Sequence, residues 1–156
     1  MTNYIWHFAV LGVLSIGGNA SAADKIVSRV DGKSVNYFYE SCPEECQVAT
    51  FTCTDTASVS VVLSDIEAKN AAKAMVEEQK QIVFKVGKKS FNYAISEMQF
   101  MELSGAWWLT GFSNDVDQKE LAPAIAGVKT FEASAGGQKV TLPVDAAVKS
   151  WGAGCN

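Results

Sequence analysis

The sequence is poor in the residues most enzymes and nucleic-acid binders depend on: one histidine (His7), one arginine (Arg29) and three prolines among 156 residues. His7 lies within the first 22 residues, so a chain processed after Ala22 would keep no imidazole. A Ser-His-Asp triad, a Cys-His dyad, a His general base and any His-containing zinc or iron site would then be excluded, because each needs an imidazole that titrates or coordinates near neutral pH. Neither a GxxxxGK[ST] phosphate loop nor a GxGxxG turn occurs. With one arginine and a net charge of −4, a nucleic-acid backbone or an anionic membrane surface is a poor partner. The few prolines exclude collagen-like and Pro-rich chains, while 48% hydrophobic and 19% charged residues are compatible with a collapsed core in one domain.

What is present begins with MTNYIWHFAVLGVLSIGGNASA, which holds no Asp, Glu, Lys or Arg and is apolar from about Ile5 to Ile16. The run is shorter than the roughly 20 residues of a membrane span, and Ala20-Ser21-Ala22 supplies the small residues a signal peptidase needs. It reads as a secretory signal peptide, residues 1–22, cleaved before Ala23, and no cysteine stands at the cleavage point to receive a lipid. The remaining 134 residues, 23–156, read as a single exported globular domain in the periplasm or outside the cell, with no further membrane span.

An oxidising compartment makes disulfides the default for Cys42, Cys46, Cys53 and Cys155. Cys46 and Cys53 flank a strand-like QVATFT, which would hold them about 23 Å apart, well beyond the ~7 Å Cα limit for a bridge. Cys42 and Cys46 flank the turn Pro43-Glu44-Glu45. The favoured pairing is therefore Cys42–Cys46 with Cys53–Cys155, the latter closing a loop of about 100 residues as the main staple.

Apolar periodicity predicts an α+β fold, mainly antiparallel hairpins in a sandwich- or barrel-like sheet, with two or three short helices. Ile26–Val30 and Ser34–Glu40 form a first hairpin, and Ser58–Leu63 alternates as a half-buried strand. Ser64-Asp65-Ile66-Glu67 reads as a capping box opening a helix to about Gln79. Gln81–Val86 with Ser90–Ile95, Glu97–Leu103 with Ala106–Phe112, and Lys129–Ser134 with Gln138–Pro143 read as three hairpins. Ala106–Phe112 is apolar on both faces, as a central strand is. A helix is expected from Glu120 to Ala126, and Asp145 caps a last one reaching Trp151. The order helix, strand, Gly turn, strand occurs at 65–95 and again at 118–143, an internal echo about 49 residues apart.

The second echo, continuing as ELAPAIAGVKTFEASAGGQKVTLPVDAAVKSW, resembles the tail of the invasion-associated locus B type of small exported bacterial domain. The resemblance covers residues 119–151 and is one of layout: a helix, a Gly-turned hairpin and a short Ala-rich helix closing a β-rich fold. It implies a secreted protein involved in host contact, without a defined catalytic site. No residue role is carried over.

Few residues offer chemistry. Cys42 and Cys46 could cycle between dithiol and disulfide, but the spacing is not CxxC and Glu44 and Glu45 would raise a thiolate pKa, so a structural bridge is favoured. Met98 and Met101 would point to opposite faces of a strand, which suits packing better than copper. Asp115 with Asp117, or Glu97 with Glu102, offer carboxylate pairs, and Asn114–Asp117 lacks the pattern of a calcium loop. Trp108 and Phe112, on one face of a strand, are the best candidates for recognition of a sugar ring or a partner protein. Trp151 is expected to pack on the disulfide of Cys155. The favoured reading is a non-catalytic exported binding module of bacterial type, contacting a protein or glycan in the envelope or on a host, without cofactor or metal. The alternatives are an enzyme inhibitor or immunity-type protein presenting Pro43–Glu45 to a basic target site, and a thiol redox or metal-handling protein using Cys42 and Cys46.

Overall fold

The structure, a computed structural model, describes residues 24–42, 46–54, 59–76, 80–112 and 119–155. The signal-peptide segment, the Pro43–Glu45 turn and the Asn114–Asp117 stretch expected above lie outside these residues.

Period-two alternation of apolar residues builds nine strands among the described residues. They are β1 (Ile26–Asp31), β2 (Ser34–Tyr39), β3 (Gln47–Cys53), β4 (Val59–Ile66), β5 (Gln81–Val86), β6 (Lys89–Met101), β7 (Ala106–Phe112), β8 (Thr130–Ala135) and β9 (Gln138–Pro143). All neighbouring pairs are antiparallel, in the order β1-β2-β3-β4-β7-β6-β5-β8-β9, and the sheet curls into a nearly closed barrel. The doubly apolar strand β7 lies at the middle of this order, between β4 and β6. Inward residues of five strands meet in an edge-to-face aromatic cluster of Tyr37, Phe51, Phe84, Tyr93 and Phe131, with ring centroids 5.2 to 6.1 Å apart. Leu63, Ile82, Leu109 and Leu142 fill the space around it. Burial pushes the Tyr37 and Tyr93 phenols well above the ordinary tyrosine range, so both stay neutral in the core.

Among the described residues three helices accompany the sheet: α1 (Ala68–Val76), α2 (Leu121–Ala126) and α3 (Ala146–Gly154). Helices α2 and α3 pack on each other, and α3 lies across β1 and β2 near the seam between the end strands β1 and β9. Asp145 caps α3 as its sequence predicts, accepting from the Val148 N–H at 2.9 Å and from the Ser28 hydroxyl of β1 at 2.7 Å. These two bonds, the backbone one first, hold its carboxyl below the usual aspartate range.

Two expectations need correction. Ser64-Asp65-Ile66 does not open a helix: it ends β4, where Leu63 pairs with Leu109 but Ile66 with Trp107, a bulge of one extra residue. The N–H of Glu67 is capped instead by Gln138 of β9, whose Oε1 accepts it at 3.0 Å. A tertiary cap thus replaces the local one. Likewise β6 is not two strands. It runs unbroken through a bulge at Ser96, pairing first with β5 and then with β7.

The internal echo is visible in the architecture: β5 and β8 begin 49 residues apart, as do β6 and β9, and β5 pairs antiparallel with β8. The two hairpins are thereby related by a local two-fold axis between β5 and β8.

Candidate functional site

The bulge at Ser96 falls where β6 leaves β5, and bulges bend the strand that carries them. Beyond it, β6 pairs with β7 alone, through the ribbon closed by the turn 102–105, while β7 stays paired with β4 on its other side, so β6 is an edge strand there. No described strand pairs with the other edge of β6 after Ala94, and the last backbone bond on that side is Ile95 N–H to Lys80 O. One face of the ribbon carries Met98, Phe100 and Trp107, with the Phe100 and Trp107 rings 5.4 Å apart. Met98 and Trp107 rest against the core, whereas Phe100 is 47% and Leu103 fully exposed.

Trp108 is half-buried on the opposite face, across from Gln99. The backbone of Phe112 pairs with Ala94, and its side chain lies outside the described residues. Met98 and Met101 fall on opposite faces, opposite Leu109 and Ala106. Glu97 and Glu102 are exposed along the ribbon, and Asp115 and Asp117 lie outside the described residues. Phe100 and Leu103 were not singled out by sequence, because exposure of an apolar residue depends on where β6 parts from its neighbour.

Cys42 is bonded to Cys46 and Cys53 to Cys155. The first bridge joins half-buried residues beside the start of β3, and the second ties the end of β3 to the cap of α3. Trp151 is buried beside the second bridge, and its indole N–H donates to the Lys33 carbonyl at 2.8 Å.

A second feature lies at the β4 bulge. Asp65 adopts a left-handed backbone, φ 57°, which asparagine and aspartate tolerate better than other side chains do. Its Oδ2 accepts the Tyr39 phenol at 2.8 Å, and its carbonyl accepts the Gln138 amide at 2.8 Å. Gln138 Oε1 also accepts from Asn70 Nδ2 at 3.0 Å, so both ends of this amide are engaged. Tyr39 is pushed up to about 12, first by burial and then by its bond to Asp65 and that residue's charge. Tyr39 and Asp65 line two cavities. One, about 220 Å³, is also lined by Cys46, Gln47, Leu103 and Ser104; the other, about 60 Å³, by Ser64, Ile66, Gln138 and Lys139. Ser64 is only 2% exposed, and its hydroxyl has no partner among the protein atoms. Nothing in the sequence pointed to these cavities, since their residues come from β2, β3, β4, β8, β9 and the turn 102–105; the one local hint is a polar Ser64-Asp65 pair closing an apolar strand.

Among the described residues no three His, Cys, Asp or Glu side chains converge as a metal site, and no helix is long and apolar enough to cross a membrane. The chain matches no protein-family model, no curated protein and no solved structure.

Proposed function

We propose that this is a non-catalytic exported binding module that recognises a partner protein through the β6–β7 ribbon. The carrying observation is the coincidence of an edge of β6 without a described strand partner with exposed apolar side chains, Phe100 on that strand and Leu103 in the turn after it. A row of backbone N–H and C=O groups is complemented best by another extended backbone, which adds as a further strand while its side chains meet those apolar residues. A glycan would offer no such ladder. Export is supported by the signal-like segment 1–22 and by four cysteines joined in two bridges, a usage typical of oxidising compartments.

Two measurements test the reading. Intact mass of the chain from an envelope fraction, alkylated without reduction, is expected to start at Ala23 and to carry no alkyl adducts. A photo-crosslinking residue placed at Leu103 is expected to yield one discrete adduct in the native envelope, absent when the probe stands at Lys88 and lost on adding Phe100→Asp. Equal adducts at both positions would refute the ribbon as the recognition element. Alkylation of Cys42 and Cys46 alone would favour the thiol redox reading instead.

A further inference from the structure

We infer that the partner of the ribbon is a second copy of this chain, the two β6 edges pairing antiparallel about a two-fold axis at Gln99. The inference rests on the ribbon as the recognition element and names what it recognises.

The free length of β6 begins beyond Ile95, whose N–H is already spent on the Lys80 carbonyl, and beyond the bulge at Ser96. It comprises Glu97, Met98, Gln99, Phe100 and Met101, and on its other side all five are held by β7. An edge of this kind is completed by a strand of equal length running the opposite way. A two-fold axis normal to the sheet supplies that strand from an identical chain, and it keeps each residue on the face it already occupies.

Alternation leaves few registers open, because residues opposite one another must lie on the same face. Centred on Gln99, all five residues pair: Met98 meets the partner's Phe100, Glu97 meets the partner's Met101, and Gln99 meets the partner's Gln99. The exposed Phe100 ring is thereby covered, and the pairing of β6 with β7 extends the row on that face from Trp107 through Phe100 to the partner's Met98 and the partner's Leu109. On the other face the Gln99 carboxamide, both donor and acceptor, is the complement of itself. Neighbouring registers are worse. Centring on Met98 would set Phe100 against the bulge residue Ser96, centring on Glu97 would oppose two carboxylates, and centring on Phe100 would leave only Gln99 to Met101 paired.

Charge does not oppose the chosen register. With Glu97 facing the partner's Met101, the two Glu97 positions stand about 14 Å apart, taking ~3.3 Å per residue along the strand and ~4.8 Å between strands. That exceeds the Debye length of about 8 Å at physiological ionic strength, so their repulsion is largely screened. The contact is small, so association is weak and concentration-dependent, and an isologous pair closes at two chains.

The test is sedimentation equilibrium of the full chain over a concentration series, with disulfide trapping as the reporter of register. The average mass is expected to rise from one chain to two and to stop there. Phe100→Asp removes an apolar ring from the contact and should weaken association about tenfold or more, with an unchanged circular dichroism spectrum verifying the fold. Gln99→Cys should cross-link two chains on mild oxidation with diamide, because residue 99 faces itself at the Cα distance of ~4.5–5.5 Å between opposed strand residues. Glu97→Cys should not, because about 14 Å separates its two copies. A chain that stays monomeric throughout, a mass growing beyond two chains, a dimer untouched by Phe100→Asp, or trapping of Glu97→Cys as readily as of Gln99→Cys would overturn the assignment. A monomeric chain whose Leu103 probe captures a single different polypeptide would overturn the self-pairing alone, whereas equal adducts at Leu103 and Lys88 would remove the ribbon with it.

Discussion

Removing the Cys53–Cys155 bridge should cost more than twice what removing Cys42–Cys46 costs, although each variant loses one bond. A cross-link stabilises mainly by restricting the unfolded chain, and the restriction grows with the logarithm of the loop it closes. The long bridge spans 102 positions and the short one four. Chain-entropy arithmetic then gives roughly 4.7 kcal/mol for the first and about 2 kcal/mol for the second. Alanine is the proper replacement, because Cys155 is 4% exposed and a serine hydroxyl there would add a burial penalty of its own. At about 4 °C per kcal/mol for a domain of this size, Cys53→Ala/Cys155→Ala should melt almost 20 °C below the parent and Cys42→Ala/Cys46→Ala about 8 °C below. Against a typical total of about 5–15 kcal/mol, the first variant stands near the limit of folding. Urea unfolding of both, followed by tryptophan fluorescence because Trp151 sits beside the long bridge, supplies the comparison. Equal losses, or a larger loss for the short bridge, would refute the view that the tie between β3 and α3 is the principal staple.

Other perturbations have equally definite outcomes. Gly152→Ala would bring a Cβ to 2.4 Å from the Ala122 carbonyl oxygen, forcing α3 away from α2, whereas an alanine at Gly154 meets nothing within 4 Å. Overpacking of about 1–3 kcal/mol exceeds the helix-propensity gain of at most about 1 kcal/mol, so Gly152→Ala should lower the melting temperature and Gly154→Ala should leave it unchanged or raised. The carboxyl of Asp145 lies below its ordinary value in the folded chain, so its contribution is fully present above the unfolded aspartate value near ~3.9 and fades as pH falls through the lower, folded one. Urea midpoints measured between neutral pH and pH ~3 should therefore fall more steeply in the parent than in Asp145→Asn, and a parallel decline in both would contradict this. Asp145→Ala, which also loses the cap, should be weaker by about 1 kcal/mol at neutral pH.

Features dictated by neighbours in sequence were legible, and those dictated by distant partners were not. The β8–β9 hairpin follows from alternation around Gly136-Gly137, both with positive φ, and the α3 cap from Asp145 three residues before Val148. The doubly apolar pattern of β7 correctly marked a strand with neighbours on both sides. By contrast, Ser64 to Glu67 has the local chemistry of a capping box, yet the amide it would have satisfied is taken by Gln138, 71 residues away. The bulge at Ser96 likewise carries no turn residue, so nothing local showed that β6 continues through it. The strand pattern pointed to Trp108 and Phe112, whereas Phe100, on the length of β6 beyond β5, and Leu103, in the turn 102–105, are more exposed than Trp108.

The amide of Gln138 links three parts of the molecule that would otherwise move separately: the bulge of β4, the first turn of α1 and the β8–β9 hairpin. Displacing this one side chain would leave the Asp65 carbonyl, the Glu67 N–H and the Asn70 amide without it at once. Hydrogen exchange at a single backbone amide, that of Glu67, therefore reports whether the three parts are still joined.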